Sequence, residues 1–189
     1  MRIVLVGPFP PLRGGIAMFN HSLAETLSKN HEVHRVSFSL QYPQLLFPGK
    51  TQYFDYDGQK AKTLINSVNP FSWKKTVKYI NSINPDIVIF QYWMPFFALC
   101  LGFVAKRLRK KRVKVISVLH NVKPHENRIG DKRLSRYFLK QNDAFVVMSK
   151  AVRDDLLSFI QDAKYILHPF PTNSQFGEST AQIEARKKI

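Results

Sequence analysis

The chain has 189 residues, enough for one well-buried domain and too few for two of ordinary size. Its hydrophobic fraction of 44% and aromatic fraction of 13% are those of a globular protein and exclude a disordered chain. A formal net charge of +16 indicates a surface suited to polyanions such as nucleic acid, anionic lipid headgroups or phosphorylated substrates. Charge alone does not choose among these partners.

The lone cysteine and the apolar runs bear on the compartment. Cys100 excludes an internal disulfide and lies in an apolar helical stretch, where a buried, inert thiol is expected. The longest apolar run, at 94–105, is interrupted by Pro95 and Gly102 and is too short to cross a bilayer. Residues 1–7 are typical of a first strand and lack the features of a signal peptide. We therefore expect a cytoplasmic protein.

The first third of the chain alternates short β-branched runs with helical periodicity, which is typical of parallel α/β units. A continuous apolar run at 3–6 predicts a strand covered on both faces, and the Gly14-Gly15 turn then opens a helix. Residues 33–38 alternate like a second strand. The stretch 41–60 has no period and is predicted to be a long loop, a kind of segment that is often functional.

The same alternation continues to residue 171. Asn69-Pro70 predicts the start of a helix that ends at Asn84-Pro85. The later predicted elements are a strand at 87–90, a helix at about 96–111, a strand at 113–119, a short helix near 134–138, a strand at 144–148, a helix capped by Ser149 and a strand at 165–167.

This pattern predicts the fold and the domain limits. We expect a single α/β domain over residues 1–170, a Rossmann-like parallel sheet with helices on both faces. After Pro171 the pattern is lost, and 171–189 is predicted to be a linker and the start of a further domain that this chain lacks.

Ligands of open parallel sheets bind at the carboxyl ends of the strands, so the residues there are the candidates for chemistry. Gly14 and Gly15 either expose the N–H groups of a helix N-terminus to a phosphate or merely form a tight turn. Trp93 follows the strand at 87–90, where an aromatic ring stacks on a sugar or packs at the rim. We predict these three residues as donor- or acceptor-binding.

The densest polar group in the chain comprises His120, Asn121, His125 and Glu126, after the strand predicted at 113–119. A histidine there acts as a base, bonds a ligand hydroxyl or caps the strand structurally. A metal is not expected, because the intervening proline forbids the helical spacing of an H-E-x-x-H site. We predict His120 as the catalytic residue and the other three as donor- or acceptor-binding.

A basic cluster occupies residues 106–114, seven of which are Lys or Arg. An apolar helix that ends in cations suits a membrane surface, and it equally suits a solvated helix end that complements the helix dipole. We predict Arg107, Arg109, Lys110 and Lys111 as membrane-surface contacts. No nucleic-acid-binding signature is present, so nucleic acid is not an expected partner.

Four motifs occur along the chain in an order that resembles a known family. They are Gly-Gly-Ile-Ala at the first helix, His120-Asn121, Val-Val-Met-Ser-Lys at 146–150, and His168-Pro169. The chain resembles the N-terminal domain of the retaining glycosyltransferases of family 4, which have the GT-B architecture. The resemblance implies that Gly14-Gly15 lies near the donor diphosphate or the acceptor, and that His120 lies in the catalytic cleft near the transferred sugar.

The resemblance also implies a function. We expect the acceptor-binding half of an enzyme that transfers a sugar from a nucleoside-diphosphate sugar to a saccharide or lipid-linked saccharide, in cell-surface polysaccharide biosynthesis. The nucleotide sugar is a substrate, and no further cofactor is expected. The family's second domain has no counterpart in this sequence, so the chain alone is expected to be inactive. The basic cluster leads us to expect a peripheral position on the inner face of the plasma membrane.

The alternative hypothesis is a non-catalytic basic module that docks on anionic membrane or on a partner chain. It rests on the net charge and on the cluster at 106–114.

Overall fold

The computed structural model describes residues 1–44, 51–123 and 129–169, and the structural statements below concern these ranges. The strands are β1 (Arg2–Val6), β2 (Glu32–Leu40), β3 (Lys62–Asn66), β4 (Ile87–Tyr92), β5 (Lys114–Leu119), β6 (Ala144–Val147) and β7 (Tyr165–Leu167). The helices are α1 (Gly15–Ser28), α2 (Pro70–Ile83), α3 (Ala98–Arg109), α4 (Asp131–Leu139) and α5 (Lys150–Phe159), with a 3-10 turn at Pro95–Phe97. The predicted linker at 171–189 lies outside the described residues.

The seven strands form one sheet in the order β3-β2-β1-β4-β5-β6-β7, and every neighbouring pair is parallel. Strand order reverses at β1, which pairs with β2 on one side and β4 on the other. In such sheets the connections leave β1 and β4 on opposite faces, so a crevice opens beyond their carboxyl ends. The predicted Rossmann-like parallel sheet is confirmed.

Side chains alternate along each strand, so both faces of the sheet present apolar residues that helices cover. Ile3 and Leu5 of β1 pack in a cluster with residues of α1. Val4 and Val6 point the other way, into a larger cluster that includes residues of α2, α3, α4 and α5. Both clusters are buried, and most of α1 packs on the face of Ile3 and Leu5.

Two predicted helix starts are confirmed at the level of hydrogen bonds. The Asn69 side chain accepts from the N–H of Phe71 at 3.0 Å, one residue beyond Pro70 at the first helical position. The Ser149 hydroxyl accepts from the N–H of Val152 at 3.2 Å. Each cap satisfies an N–H group that has no partner inside the helix.

One strand was missed, and one predicted helix is shorter than expected. β3 was not predicted, because Lys62–Asn66 lacks apolar alternation; it is an edge strand that contributes chiefly Ile65 to the core. The helix predicted at 96–111 is instead a 3-10 turn followed by α3, which ends at Arg109, and Arg112 beyond it has a left-handed φ of 64°.

The structure also bears on the cysteine and on the apolar segments. Cys100 is buried, and burial raises the pKa of its thiol to about 12, as expected for an inert cysteine. Within 1–44, 51–123 and 129–169, every helix is too short or too polar to span a bilayer.

Replacing Ser149 with alanine is expected to lower the free energy of unfolding by about 1 kcal/mol, because the N–H of Val152 loses its cap. Urea unfolding of the variant and the parent measures the difference. The matched control is Ser158→Ala in the same helix, whose hydroxyl donates to the carbonyl of Asp155 and caps nothing. Equal losses in the two variants would contradict the role assigned to the cap.

Candidate active site

His120 lies at the carboxyl edge of the sheet, directly after β5. Its backbone N–H donates to the carbonyl of Tyr92 at 2.9 Å, so parallel pairing with β4 continues one residue past the strand. Its ring points to the face that α1 covers, where the Phe19 ring meets it edge-on with centroids 5.4 Å apart. The predicted catalytic histidine therefore lies at the crevice, beside the first helix.

A chain of buried amides supports the histidine from below. His120 Nε2 lies 2.8 Å from Gln91 Oε1, and Gln91 Nε2 donates to Asn20 Oδ1 at 3.1 Å. Asn20 Nδ2 in turn donates to the carbonyl of Pro8 at 3.1 Å. Gln91 and Asn20 are fully buried. The chain thus links the ends of β1, β4 and β5 through α1.

Burial lowers the pKa of His120 from its ordinary value of 6.5 to about 4. The imidazole is therefore neutral near pH 7. A base with so low a pKa is weak at that pH, because general bases act best when their pKa is close to the operating pH. The site favours a histidine that forms a neutral hydrogen bond over one that carries a proton between groups.

The Gly14-Gly15 turn forms the start of α1. Gly14 has φ of 126°, which side chains rarely adopt, and a Cβ at either glycine would meet nothing within 4 Å. No side chain caps the helix here. The turn therefore leaves open space at a helix N-terminus, where N–H groups and the helix dipole favour an anion.

The loop between β2 and β3 holds the glycine turn in place. The backbone N–H of Arg13 donates to the carbonyl of Gln52 at 2.8 Å, and the Arg13 Nε donates to the carbonyl of Tyr53 at 2.7 Å. Phe54 N–H donates to the carbonyl of Pro11 at 2.9 Å. The described part of the predicted long loop thus packs against the loop that leads into α1.

The other residues predicted to bind the donor or acceptor differ in their surroundings. Trp93 packs on Phe97 with centroids 4.3 Å apart, and its Nε1 donates to the Tyr42 hydroxyl at 3.0 Å, so its ring and N–H both have protein partners. Asn121 is exposed next to His120. His125 and Glu126 lie outside the described residues, and their roles stay predictions.

Across the described ranges no three His, Cys, Asp or Glu side chains are grouped as metal ligands are.

The basic cluster lies at the opposite edge of the sheet from His120. It surrounds the end of α3 and the start of β5. The six residues of β5 separate the cluster from His120 by about 20 Å. Arg109 donates to the carbonyl of Lys140 at 2.9 Å and lies 3.3 Å from the Asp143 carboxylate, so it has structural partners. Arg107 lies over the Phe103 ring at 4.8 Å, and Lys110 and Lys111 are exposed.

Asn20 and Gln91 were not among the predicted site residues. Gln91 carried a signal, because it is a polar residue that directly follows the apolar run 87–90 in a buried strand. Asn20 carried none, since a polar residue in an amphipathic helix is ordinarily solvated. Only the fold shows that it faces the sheet.

The depressed pKa makes the stability depend on pH. Between about pH 4 and 6.5 the unfolded chain binds a proton at His120 that the folded chain does not. The free energy of unfolding should therefore fall as pH falls through this window, by up to about 3 kcal/mol from this residue. Urea unfolding of the parent and of His120→Gln across the window isolates the contribution. Parallel pH curves for the two proteins would contradict it.

The sequence profile described as Glycosyltransferase Family 4 matches residues 13–169. UDP-GlcNAc 2-epimerase from Methanocaldococcus jannaschii superposes with a TM-score of 0.57 at 14% identity, over 88% of this chain and 45% of the epimerase. An alpha-glucosyltransferase bound to UDP-glucose and abasic DNA gives 0.59 at 14%, over 90% and 42%. Sucrose-phosphate synthase from Thermosynechococcus elongatus gives 0.55 at 13%, over 100% of both chains. No curated protein sequence matches this chain.

The solved structures, at such low identity, establish the fold alone. This chain spans less than half the length of the epimerase and of the glucosyltransferase. The family profile, by contrast, covers most of the sequence, including the glycine turn, His120 and His168. The chain is a Rossmann-like domain of the GT-B type and belongs to glycosyltransferase family 4.

Proposed function

We propose that this domain binds the acceptor in a retaining glycosyltransferase that uses a nucleoside-diphosphate sugar. The observation that carries the proposal is the neutral His120 held at the crevice beside the uncapped N-terminus of α1. Phe19 lies four residues after Gly15 in α1 and contacts the His120 ring. His120 and the start of α1 therefore share one side of the crevice. One offers a neutral hydrogen bond and the other an anion site.

The two features suit the two ends of the reaction. The acceptor hydroxyl oxygen bonds to the anomeric carbon as the bond from that carbon to the diphosphate oxygen breaks, and the acceptor proton passes to the leaving diphosphate on the same face. Negative charge grows on that leaving group, and N–H groups at Gly14-Gly15 stabilise it. His120 bonds a sugar hydroxyl near the reacting carbon.

The choice of nucleotide sugar is supported by the neighbouring folds. The glucosyltransferase was solved with UDP-glucose, and the epimerase from Methanocaldococcus jannaschii with UDP-GlcNAc and UDP. This chain covers 42% of the glucosyltransferase and 46% of the epimerase. We expect most donor contacts to come from a second domain, no cofactor beyond the donor, and no turnover by the 189-residue chain alone. The acceptor we expect is a saccharide or lipid-linked saccharide of a cell-surface polysaccharide pathway.

Replacing His120 with alanine is expected to reduce turnover about a hundredfold or more in the enzyme that pairs this domain with its donor-binding domain, since a transition-state contact is lost. Initial rates of labelled-sugar transfer measure this. The matched control is Tyr92→Phe, which removes a buried hydrogen bond to Ser135 on the opposite face of the sheet. The sugar contact is refuted by near-parental turnover in the histidine variant, or by an equal loss in the control.

The basic cluster supports a second, separate proposal, that the domain docks on anionic membrane as a peripheral protein of the cytoplasmic face. Lys106, Lys110 and Lys111 are exposed and share one edge of the molecule. Cations so placed are attracted to anionic headgroups. Because the cluster lies about 20 Å from His120, a membrane bound there leaves the crevice open to the solvent side.

Replacing Lys106, Lys110 and Lys111 with serine is expected to weaken binding to acidic liposomes on the order of a hundredfold, because each cation near such a surface contributes about 1 kcal/mol. Co-sedimentation at low and high salt measures the effect. Arg109 is left unchanged because it contacts Asp143.

The control for this experiment carries the same change in charge elsewhere. Lys74, Lys75 and Lys78 are exposed on α2, and their replacement by serine removes three lysines from another surface. The docking proposal requires that this control keep near-parental binding. Equal weakening in both triple variants would mean that net charge alone drives the association, and tight binding to duplex DNA instead of liposomes would also refute it.

A further inference from the structure

The buried amide chain from Pro8 to His120 has a fixed direction. A backbone carbonyl only accepts hydrogen bonds, so the Asn20 group that faces the Pro8 carbonyl at 3.1 Å must be its NH2. The Asn20 oxygen then faces Gln91 and requires a donor, which is the Gln91 NH2 at 3.1 Å. The Gln91 oxygen is thereby turned toward the His120 ring at 2.8 Å.

This direction determines which ring nitrogen of His120 carries the proton. The Gln91 oxygen accepts, so His120 Nε2 must be the protonated nitrogen. In a neutral ring the other nitrogen, Nδ1, then carries a lone pair. Nδ1 has no hydrogen-bond partner among the described residues. By contrast, every other polar side-chain atom of Asn20, Gln91 and His120 bonds to another member of this hydrogen-bonded series.

We propose that Asn20 and Gln91 are positioning residues that hold His120 with Nε2 protonated, so that Nδ1 accepts a hydrogen bond from a hydroxyl group of the bound saccharide. The identity of the ligand rests on the proposed function, whereas the tautomer rests on the hydrogen bonds alone. Asn20 and Gln91 touch no substrate themselves; they act through the ring.

Packing around the chain prevents the amides from rearranging. Asn20 and Gln91 are fully buried, so reversing either amide would leave buried polar atoms without partners. Gly7 at the end of β1 lies against both, and a Cβ there would come within 2.7 Å of Gln91 Cγ and 3.0 Å of Asn20 Nδ2. Glycine at this position makes room for the chain.

The tautomer also determines which chemical groups of a ligand can bind at His120. A lone pair at Nδ1 repels phosphate oxygens and attracts hydroxyl donors, because the diester-linked diphosphate of a nucleotide sugar has only acceptors at neutral pH. The open N–H groups at Gly14-Gly15 have the opposite preference. The crevice therefore takes a hydroxyl-bearing ring at His120 and an anionic group at the start of α1.

Nitrogen-15 NMR of the histidine rings in the 189-residue chain tests the proposal, with His120→Gln used to assign the signals. At neutral pH the parent should show one tautomer of His120, with Nε2 protonated and Nδ1 unprotonated. In Asn20→Leu the ratio of the two tautomers should fall about tenfold, which corresponds to the loss of one hydrogen bond in the chain. Gln91→Met should give the same result by direct removal of the acceptor.

The contrast between variants separates positioning from general stability. Tyr92→Phe also loses a buried hydrogen bond but on the other face of the sheet, and it should keep the parental tautomer. Asn20 does not contact His120, so its effect must pass through Gln91. If Gln91→Met does not fold, Asn20→Leu still decides the outcome.

Two results would overturn the proposal: a parent with Nδ1 protonated, or an Asn20→Leu variant with an unchanged tautomer ratio. Activity is not part of this measurement, so its failure is distinct from failure of the proposed function. The predicted tautomer together with full turnover by His120→Ala would refute the sugar contact and leave the positioning of the ring established.

Discussion

The structure depends on the parallel pairing of β1 with β4, in register from Ile3 opposite Ile87 to Val6 opposite Phe90. This pairing is where the order of the strands reverses, and it brings α1 onto the face where the side chain of Gln91 emerges. A slip by one residue would turn Gln91 to the other face, because side chains alternate along a strand. The geometry at His120 therefore follows from the sheet register.

A neutral site within a strongly basic chain is the second organising feature. The net charge is +16, yet the groups nearest the His120 ring are an amide and a phenyl ring. Desolvation by these neighbours keeps the imidazole uncharged. The densest run of cations lies at the far edge of the sheet, beside the start of β5. In the proposed function, this separation keeps the hydroxyl site at His120 apart from the surface that docks on anionic membrane.

The sequence predicted what local patterns determine and missed what tertiary contacts determine. The helix starts at Asn69 and Ser149 were predictable because capping depends on residues within one turn. His120 was predictable as a polar residue that ends an apolar strand. β3 was missed because an edge strand needs little apolar alternation. The contacts of Trp93 with Phe97 and Tyr42 were likewise invisible in the sequence, and its ligand role stays a prediction.

The partners of His120 were beyond prediction for a physical reason. Asn20 and Gln91 are 71 residues apart in sequence, and neither has a local partner that would mark it. Buried amides become recognisable only when the sheet places them within hydrogen-bond distance. Contacts of high sequence separation are the part of a site that a single sequence conceals, even where the fold class is evident.

The central claim is that the carboxyl edge of the sheet binds the sugar acceptor at His120, beside the start of α1. Backbone chemical-shift mapping during titration of the chain with acceptor saccharides tests it most directly. The claim predicts that shifts concentrate at His120 and Asn121 and are absent from Lys110 and Lys111 near the amino end of β5. Shifts confined to the basic cluster, or to the outer faces of α2 and α3, would contradict it.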